Sequence, residues 1–103
     1  MKHDADAASI VRLSGKLLCA SLKDVEVVKV SLPEHIRLTL AESGCLSFKV
    51  WQTDDPLVWG VEESFINTSA FSHHQKRTRA SAWWTATSAI PRSYEITGLE
   101  PSE

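Results

Sequence analysis

The stretch Trp59–His74, WGVEESFINTSAFSHH, decides the fold, because its hydrophobic period changes from that of a strand to that of a helix. In its first half, a tryptophan, a valine, Glu63 and Phe65 occupy every second position, which is the period-two pattern of a β-strand. Asn67 then begins a run of helix-capping residue types, and a helix is predicted to follow. A carboxylate and the imidazole of His74 are therefore expected on adjacent elements beside apolar surface. Such a pair can transfer a proton, or it can simply form a hydrogen bond.

The rest of the chain predicts three more strands and one more helix on either side of this stretch. The four predicted strands are Ile10–Cys19, Cys45–Gln52, Leu57–Phe65 and Ile90–Thr97. An apolar stripe from Ser21 to Leu40 predicts the first helix, which Pro33 should kink or divide. Gly44 is expected to end that helix as a glycine C-cap. The second helix is predicted from residue 68 to about residue 88, with an interruption near Lys76–Arg79.

The order strand, helix, strand, strand, helix, strand predicts an α+β fold with the ferredoxin-like β-α-β-β-α-β arrangement. Its antiparallel sheet would carry both helices on one face. Large apolar residues occur at both parities of the strands, so the open face is expected to need a cover, and a second copy of the chain is the simplest one. We predict a single domain over residues 10–97, with tails at residues 1–9 and 98–103.

The composition indicates one soluble domain and has no charge pattern that predicts a nucleic-acid or membrane partner. The 103 residues are 43% apolar and 23% charged, with a formal net charge of −2 spread along the chain. No segment has the length and apolarity of a membrane span or the pattern of a signal peptide. Cys19 and Cys45 are interpreted as small hydrophobic residues in a reduced protein, so a cytoplasmic location is expected.

Three motifs in a fixed order carry a resemblance to a known family. They are E-x-G-C-L at Glu42–Leu46, E-x-F at Glu63–Phe65 and A-F-x-x-H at Ala70–His74. Over about residues 11–96 the chain resembles the antibiotic biosynthesis monooxygenase domain family of the dimeric α+β barrel superfamily. The resemblance implies a homodimer whose sheets close into a barrel, with a pocket in each subunit between sheet and helices. Similar members oxidise quinols or polycyclic aromatics without metal or flavin; others degrade heme, isomerise small phosphorylated sugars or have no known activity.

Three side chains are candidates for proton transfer in such a pocket. His74 occupies the position that commonly lines the pocket in the family, and its ordinary pKa near 6.5 suits it to accept a phenolic proton. Helix packing is the structural alternative for His74. Glu63 would orient His74 or form a structural ion pair with it or with Arg77. His35, one turn after Pro33, is the next candidate base, with a solvated helix position as its alternative.

Five further residues are predicted to bind the substrate: Phe65, Phe71, Arg77, Trp83 and Trp84. The phenylalanines would form pocket wall or core. One of the two adjacent tryptophans should line the pocket, because neighbouring helical residues point about 100° apart. Arg77 lies in a basic run that is either a solvated face or a contact for an anionic substrate oxygen.

No metal site and no cofactor are predicted. Cys, His and carboxylate residues lack metal-ligand spacing, and no dinucleotide or phosphate-binding glycine motif occurs. The asparagine and late histidine of heme-degrading relatives are missing, since Asn67 is not on the first strand and Trp84 stands ten residues after His74. The leading hypothesis is a cofactor-independent monooxygenase of a small aromatic substrate and dioxygen. The alternatives are a non-catalytic ligand-binding dimer and a sugar-phosphate isomerase, which would need a more basic pocket.

Overall fold

A four-stranded antiparallel sheet with helices on one face forms the framework of the computed structural model, which describes residues 10–100. The predicted tail at residues 1–9 lies outside the described residues. The elements are β1 (Val11–Leu18), α1 (Leu22–Leu40), β2 (Cys45–Gln52), β3 (Val58–Phe65), α2 (Thr68–Arg79), α3 (Ala82–Thr87) and β4 (Arg92–Thr97). Strand order in the sheet is β2-β3-β1-β4. The predicted ferredoxin-like α+β fold is confirmed.

Helix α1 continues through Pro33 without interruption, so the chain is not divided there. Ser21 caps the helix by accepting a hydrogen bond from the Asp24 N–H at 3.3 Å. Leu32 and His35 flank the proline and are both buried, so tertiary packing holds the two halves of the helix in register. The burial of these side chains helps to offset the cost of about 3 kcal/mol that a proline imposes inside a helix.

The predicted role of Gly44 as a left-handed helix cap is wrong. Ala41 caps α1 with a φ of −79°, and among the described residues only Gly98 has a positive φ. Gly44 is required for a different reason, because a Cβ built there would lie 2.4 Å from the Cβ of Ala70. The turn between α1 and β2 therefore approaches α2 at a distance that only glycine permits.

The second helical segment breaks a little later than expected. Helix α2 runs through Arg79, and α3 begins after Ser81, whose hydroxyl accepts a hydrogen bond from the Trp84 N–H at 3.3 Å. The polar run before Ala80 is compatible with helix, since lysine and arginine are good helix formers. The N-cap serine, and not the run of charges, sets the position of the break.

The sheet has a buried inner face and a largely polar outer face. On the inner face Glu63 pairs in register with Leu13 on β1 and Phe48 on β2. The outer face is more polar than the sequence parity suggested, with these side chains: Arg12, Ser14, Lys16, Ser47, Lys49, Glu62, Ser64, Ser93, Glu95 and Thr97. Trp51 is the largest apolar exception and covers Gly60 across the strands. The apolar outer face assumed for a dimer is thus mostly absent, and the homodimer stays a prediction.

The described part of the C-terminal tail contacts the body of the domain. The Glu100 N–H donates a hydrogen bond to the Thr68 hydroxyl at the start of α2, at 2.9 Å. Cys19 and Cys45 are both free thiols. No helix between residues 10 and 100 combines the length and apolarity needed to cross a bilayer.

Candidate active site

A cavity of about 190 Å³ lies between the inner face of the sheet and the helices. The sheet contributes Leu13, Leu17, Phe48, Val50, Val61, Glu63, Arg92 and Tyr94 to its wall. The helices contribute His35, His74, Gln75, Thr78, Arg79, Trp83 and Trp84. The wall is thus mainly aromatic and aliphatic with a few ionisable groups, which is the usual character of a small-molecule site. All three predicted catalytic residues lie on it.

Glu63 is a buried carboxyl group with one unsatisfied oxygen. It is 8% exposed, and its Oε1 has no hydrogen-bond partner. Burial, together with the charge of Glu42, raises the pKa of Glu63 to about 7. At neutral pH the carboxyl group is therefore divided between its neutral and ionised forms, which is the state that suits an acid–base group.

His74 is held by a hydrogen bond at each ring nitrogen. Its Nδ1 lies 3.1 Å from both carboxylate oxygens of Glu42. Its Nε2 lies 3.3 Å from the Thr78 hydroxyl and 3.6 Å from Oε1 of Glu63. A carboxylate accepts hydrogen bonds, so we assign the proton to Nδ1, and the lone pair of Nε2 accepts a hydrogen bond from the Thr78 hydroxyl. Burial lowers the pKa of His74, and the hydrogen bond to Glu42 opposes this shift.

Glu42, which the sequence reasoning gave no role, takes the orienting position expected for Glu63. Its carboxylate also accepts a hydrogen bond from Nε of Arg77, and Arg77 donates from Nη2 to the Thr39 hydroxyl at 2.9 Å. Arg77 is thereby bound behind the cavity and does not line it, and its contact with substrate stays a prediction. The signal for Glu42 was present, since Glu42 opens the E-x-G-C-L motif.

His35 is a neutral imidazole clamped between aromatic rings. It stacks on Trp83 with ring centroids 4.8 Å apart and planes 1° from parallel, and it meets Phe48 edge-on at 5.2 Å. Burial, followed by the charges of His74, Arg77 and an arginine on β4, lowers the pKa of His35 to about 3. Its Nδ1 has no hydrogen-bond partner. A group so hard to protonate is a poor base and a better hydrogen-bond donor or acceptor for a ligand.

Both Trp83 and Trp84 line the cavity, where only one of them was expected. Trp83 is 6% exposed and forms the wall beside His35. Trp84 is partly exposed and carries the guanidinium of Arg92 above its ring at 5.1 Å from the centroid.

Phe65 and Phe71 are core residues and do not line this cavity, which agrees with the core alternative given for them. Their contact with substrate stays a prediction. They are 0% and 5% exposed, with ring centroids 5.7 Å apart. Phe65 also lies 4.8 Å from the His74 ring. Phe65 thus packs against the His74 ring, and Phe71 packs against Phe65.

The sequence reasoning missed several wall residues, of which four bear on the chemistry: Phe48, Gln75, Arg79 and Arg92. Gln75 and Arg79 are four residues apart, so they share a helix face next to His74, and that spacing was available in the sequence. Arg92 follows from the strand register alone, since it pairs with Leu17 on the inner face. Within residues 10–100, no group of three His, Cys, Asp or Glu side chains is arranged to hold a metal ion.

Comparison with known proteins gives a clear answer only at the level of structure. No family model matches the chain, and no curated protein matches it. Among solved structures it is similar to a candidate antibiotic biosynthesis monooxygenase from Caulobacter crescentus CB15, with 21% identity, a TM-score of 0.73 and coverage of 90% of this chain and 92% of that one. A Nitrosomonas europaea protein of the same description has 19% identity, a TM-score of 0.71 and coverage of 86% and 88%.

A third structure, SnoaB from Streptomyces nogalater, is described as a cofactor-independent oxygenase. It has 8% identity and a TM-score of 0.73, and the match covers 91% of this chain and 96% of that one. Identities this low establish a shared fold and leave function to the residues of the site. The fold that the sequence motifs predicted is confirmed.

Proposed function

We propose that this chain, which shares the fold of the antibiotic biosynthesis monooxygenases, is itself a monooxygenase of a small phenolic substrate such as a quinol. The observation that carries the proposal is the pairing of Glu63 and His74 on an aromatic-walled cavity. Their closest atoms, Oε1 and Nε2, are 3.6 Å apart, and the pKa of Glu63 is raised to about 7. The likeness to SnoaB supports chemistry without metal or flavin.

The pair supplies the first step, which is removal of a phenolic proton. A phenol has a pKa of about 10, so it is mostly protonated at neutral pH, and only the phenolate readily passes an electron to dioxygen. Glu63 and His74 both line the cavity, and either the ionised carboxylate or the imidazole can accept the phenolic proton there. Glu42 keeps the lone pair at Nε2 by holding the proton on Nδ1.

The later steps return that proton. The phenolate gives one electron to dioxygen, and the resulting superoxide and phenoxyl radical combine at a ring carbon to form a peroxide. The pair protonates the distal peroxide oxygen, the O–O bond breaks, the ring carbon loses its proton and water leaves. A quinol and dioxygen thus yield a hydroxyquinone and water, with all four electrons supplied by the substrate. A dry, aromatic wall limits loss of the radicals to solvent.

The test is oxygen uptake with hydroquinone by wild type and by two single-histidine variants. His74→Ala should lower the turnover rate by about 10²–10⁴-fold, the usual contribution of a positioned base. His73→Ala is the matched control, because His73 is exposed and is the neighbour of His74 in sequence. Full activity of His74→Ala with an unchanged pH profile would refute the assignment. Aromatic binding without oxygen uptake by wild type would favour the ligand-binding module.

A homodimer and a reducing, cytoplasmic location remain part of the proposal. Trp51 lies on the outer face and is 43% exposed, which favours a second copy of the chain that covers this part of the sheet. The charges around it are of both signs, with Lys49 opposite Glu62, and such a surface can be complementary to its own copy. Two free thiols are consistent with a reducing compartment.

A further inference from the structure

Two arginine side chains give the cavity wall positive charge. Arg79 and Arg92 both line it, and neither forms an ion pair with a carboxylate among residues 10–100. Arg92 is fixed in place, since its Nη1 donates hydrogen bonds to the carbonyl oxygens of Thr87 and Ile90, each at 2.8 Å. The whole chain has a formal net charge of −2, so this positive wall is a local feature. It points to an anionic ligand.

Among the ionisable groups deeper in the cavity, Glu63 offsets only part of this charge. Its pKa is raised to about 7, so the carboxyl group is ionised about half of the time at neutral pH. His35 is uncharged there, since burial lowers its pKa to about 3. With two arginines on its wall, the pocket is more basic than the sequence suggested, and the sugar-phosphate isomerase stays an alternative.

The size of the cavity limits the substrate to one ring. Its volume is about 190 Å³. An engineered protein cavity of about 150 Å³ binds benzene, so this one has room for a single aromatic ring with small substituents. The stacked pair of His35 and Trp83 provides a flat wall for such a ring. A polycyclic substrate, which the family resemblance also allowed, exceeds this volume.

We propose that the substrate is a single-ring phenol that bears a carboxylate, held by Arg79 and Arg92 while its hydroxyl meets the Glu63–His74 pair. The inference rests on the proposed oxygenase function and adds the substrate class. A carboxylate fits better than a phosphate because Arg92 has already committed three N–H donors to Thr87 and Ile90. The two donors left on Arg92 suit one planar monoanion.

Two ligands that share the quinol ring and differ in charge test the proposal. Gentisate and gentisyl alcohol share the quinol ring and differ in a carboxylate against a hydroxymethyl group. Calorimetric titration without oxygen should show gentisate binding about tenfold more tightly, as expected for a charge-assisted hydrogen bond. Arg79→Gln should remove most of this preference. Lys76→Gln should retain it, because Lys76 lies one turn earlier on α2, is exposed and does not line the cavity.

Each outcome separates the substrate class from the proposed reaction. Equal affinity for the two ligands, or an unchanged preference in Arg79→Gln, would overturn the proposal that the substrate bears a carboxylate. Displacement of gentisate by phenyl phosphate at lower concentration would show that the site is built for a phosphate ester. If gentisate binds selectively and no oxygen is consumed, the oxygenase proposal fails and the anion site stands. If both ligands are oxidised equally well, the oxygenase stands and the anion site fails.

Discussion

Replacement of Glu63 by glutamine should stabilise the protein, and the gain should grow with pH. In the folded state the pKa of Glu63 is raised from 4.5 to about 7 by burial and by the charge of Glu42. The unfolded chain therefore releases this proton earlier than the folded protein does, so the free energy of unfolding falls as pH rises between those two values. Glutamine resembles the neutral carboxyl group in shape and does not titrate.

The magnitude follows from the size of the shift. One pKa unit corresponds to about 1.4 kcal/mol, so between about pH 5 and about pH 8 the wild type should lose about 2 to 3 kcal/mol that Glu63→Gln keeps. Because Glu63 is 8% exposed, solvent screening does not reduce this appreciably. Other titrating groups are common to both proteins and largely cancel in the difference.

Urea unfolding of wild type and variant at the two pH values measures the effect. Glu62→Gln is the matched control, since Glu62 is the next residue on β3 and points to the exposed outer face. The control should change stability by less than about 0.5 kcal/mol at either pH. If Glu63→Gln shifts stability equally at both values, the carboxyl group titrates normally and the acid–base argument for this site loses its basis.

Two other predictions concern stability. His35→Phe should leave the free energy of unfolding nearly unchanged at about pH 8 and raise it by about 2 kcal/mol at about pH 5. The pKa of His35 is lowered to about 3 in the folded protein, whereas the unfolded chain binds this proton below about pH 6.5. Protonation of the unfolded chain therefore destabilises the wild type at about pH 5, and phenylalanine removes this effect. Urea unfolding at the two pH values checks this, and an equal effect at both would contradict it. Gly44→Ala should lower the free energy of unfolding by about 1 to 3 kcal/mol, because its new methyl group meets the Cβ of Ala70. Thermal unfolding of Gly44→Ala and of the double variant with Ala70→Gly tests the cause, since the second substitution should restore most of the loss; no recovery would place the strain elsewhere.

The sequence by itself determined the elements and their order. Hydrophobic period is a local property, so the four strands and the helical segments followed from it, and short motifs pointed to Glu63 and His74 as neighbours in space. Local reasoning misjudged Gly44, because the contact that requires glycine there comes from Ala70, 26 residues further along the chain. The alternation of residues along the strands also suggested an apolar outer face, whereas the strand register shows this face to be mostly polar.

Only the tertiary structure decided how charge is distributed in the site. Arg77 and Arg79 are two residues apart and look alike in sequence, yet Arg77 is neutralised by Glu42 behind the cavity while Arg79 faces it unpaired by any described carboxylate. The partner of His74 is likewise Glu42, which lies 32 residues away in the chain. Ionisation depends on burial and on charges within a few ångströms, and both are properties of packing that no local pattern contains.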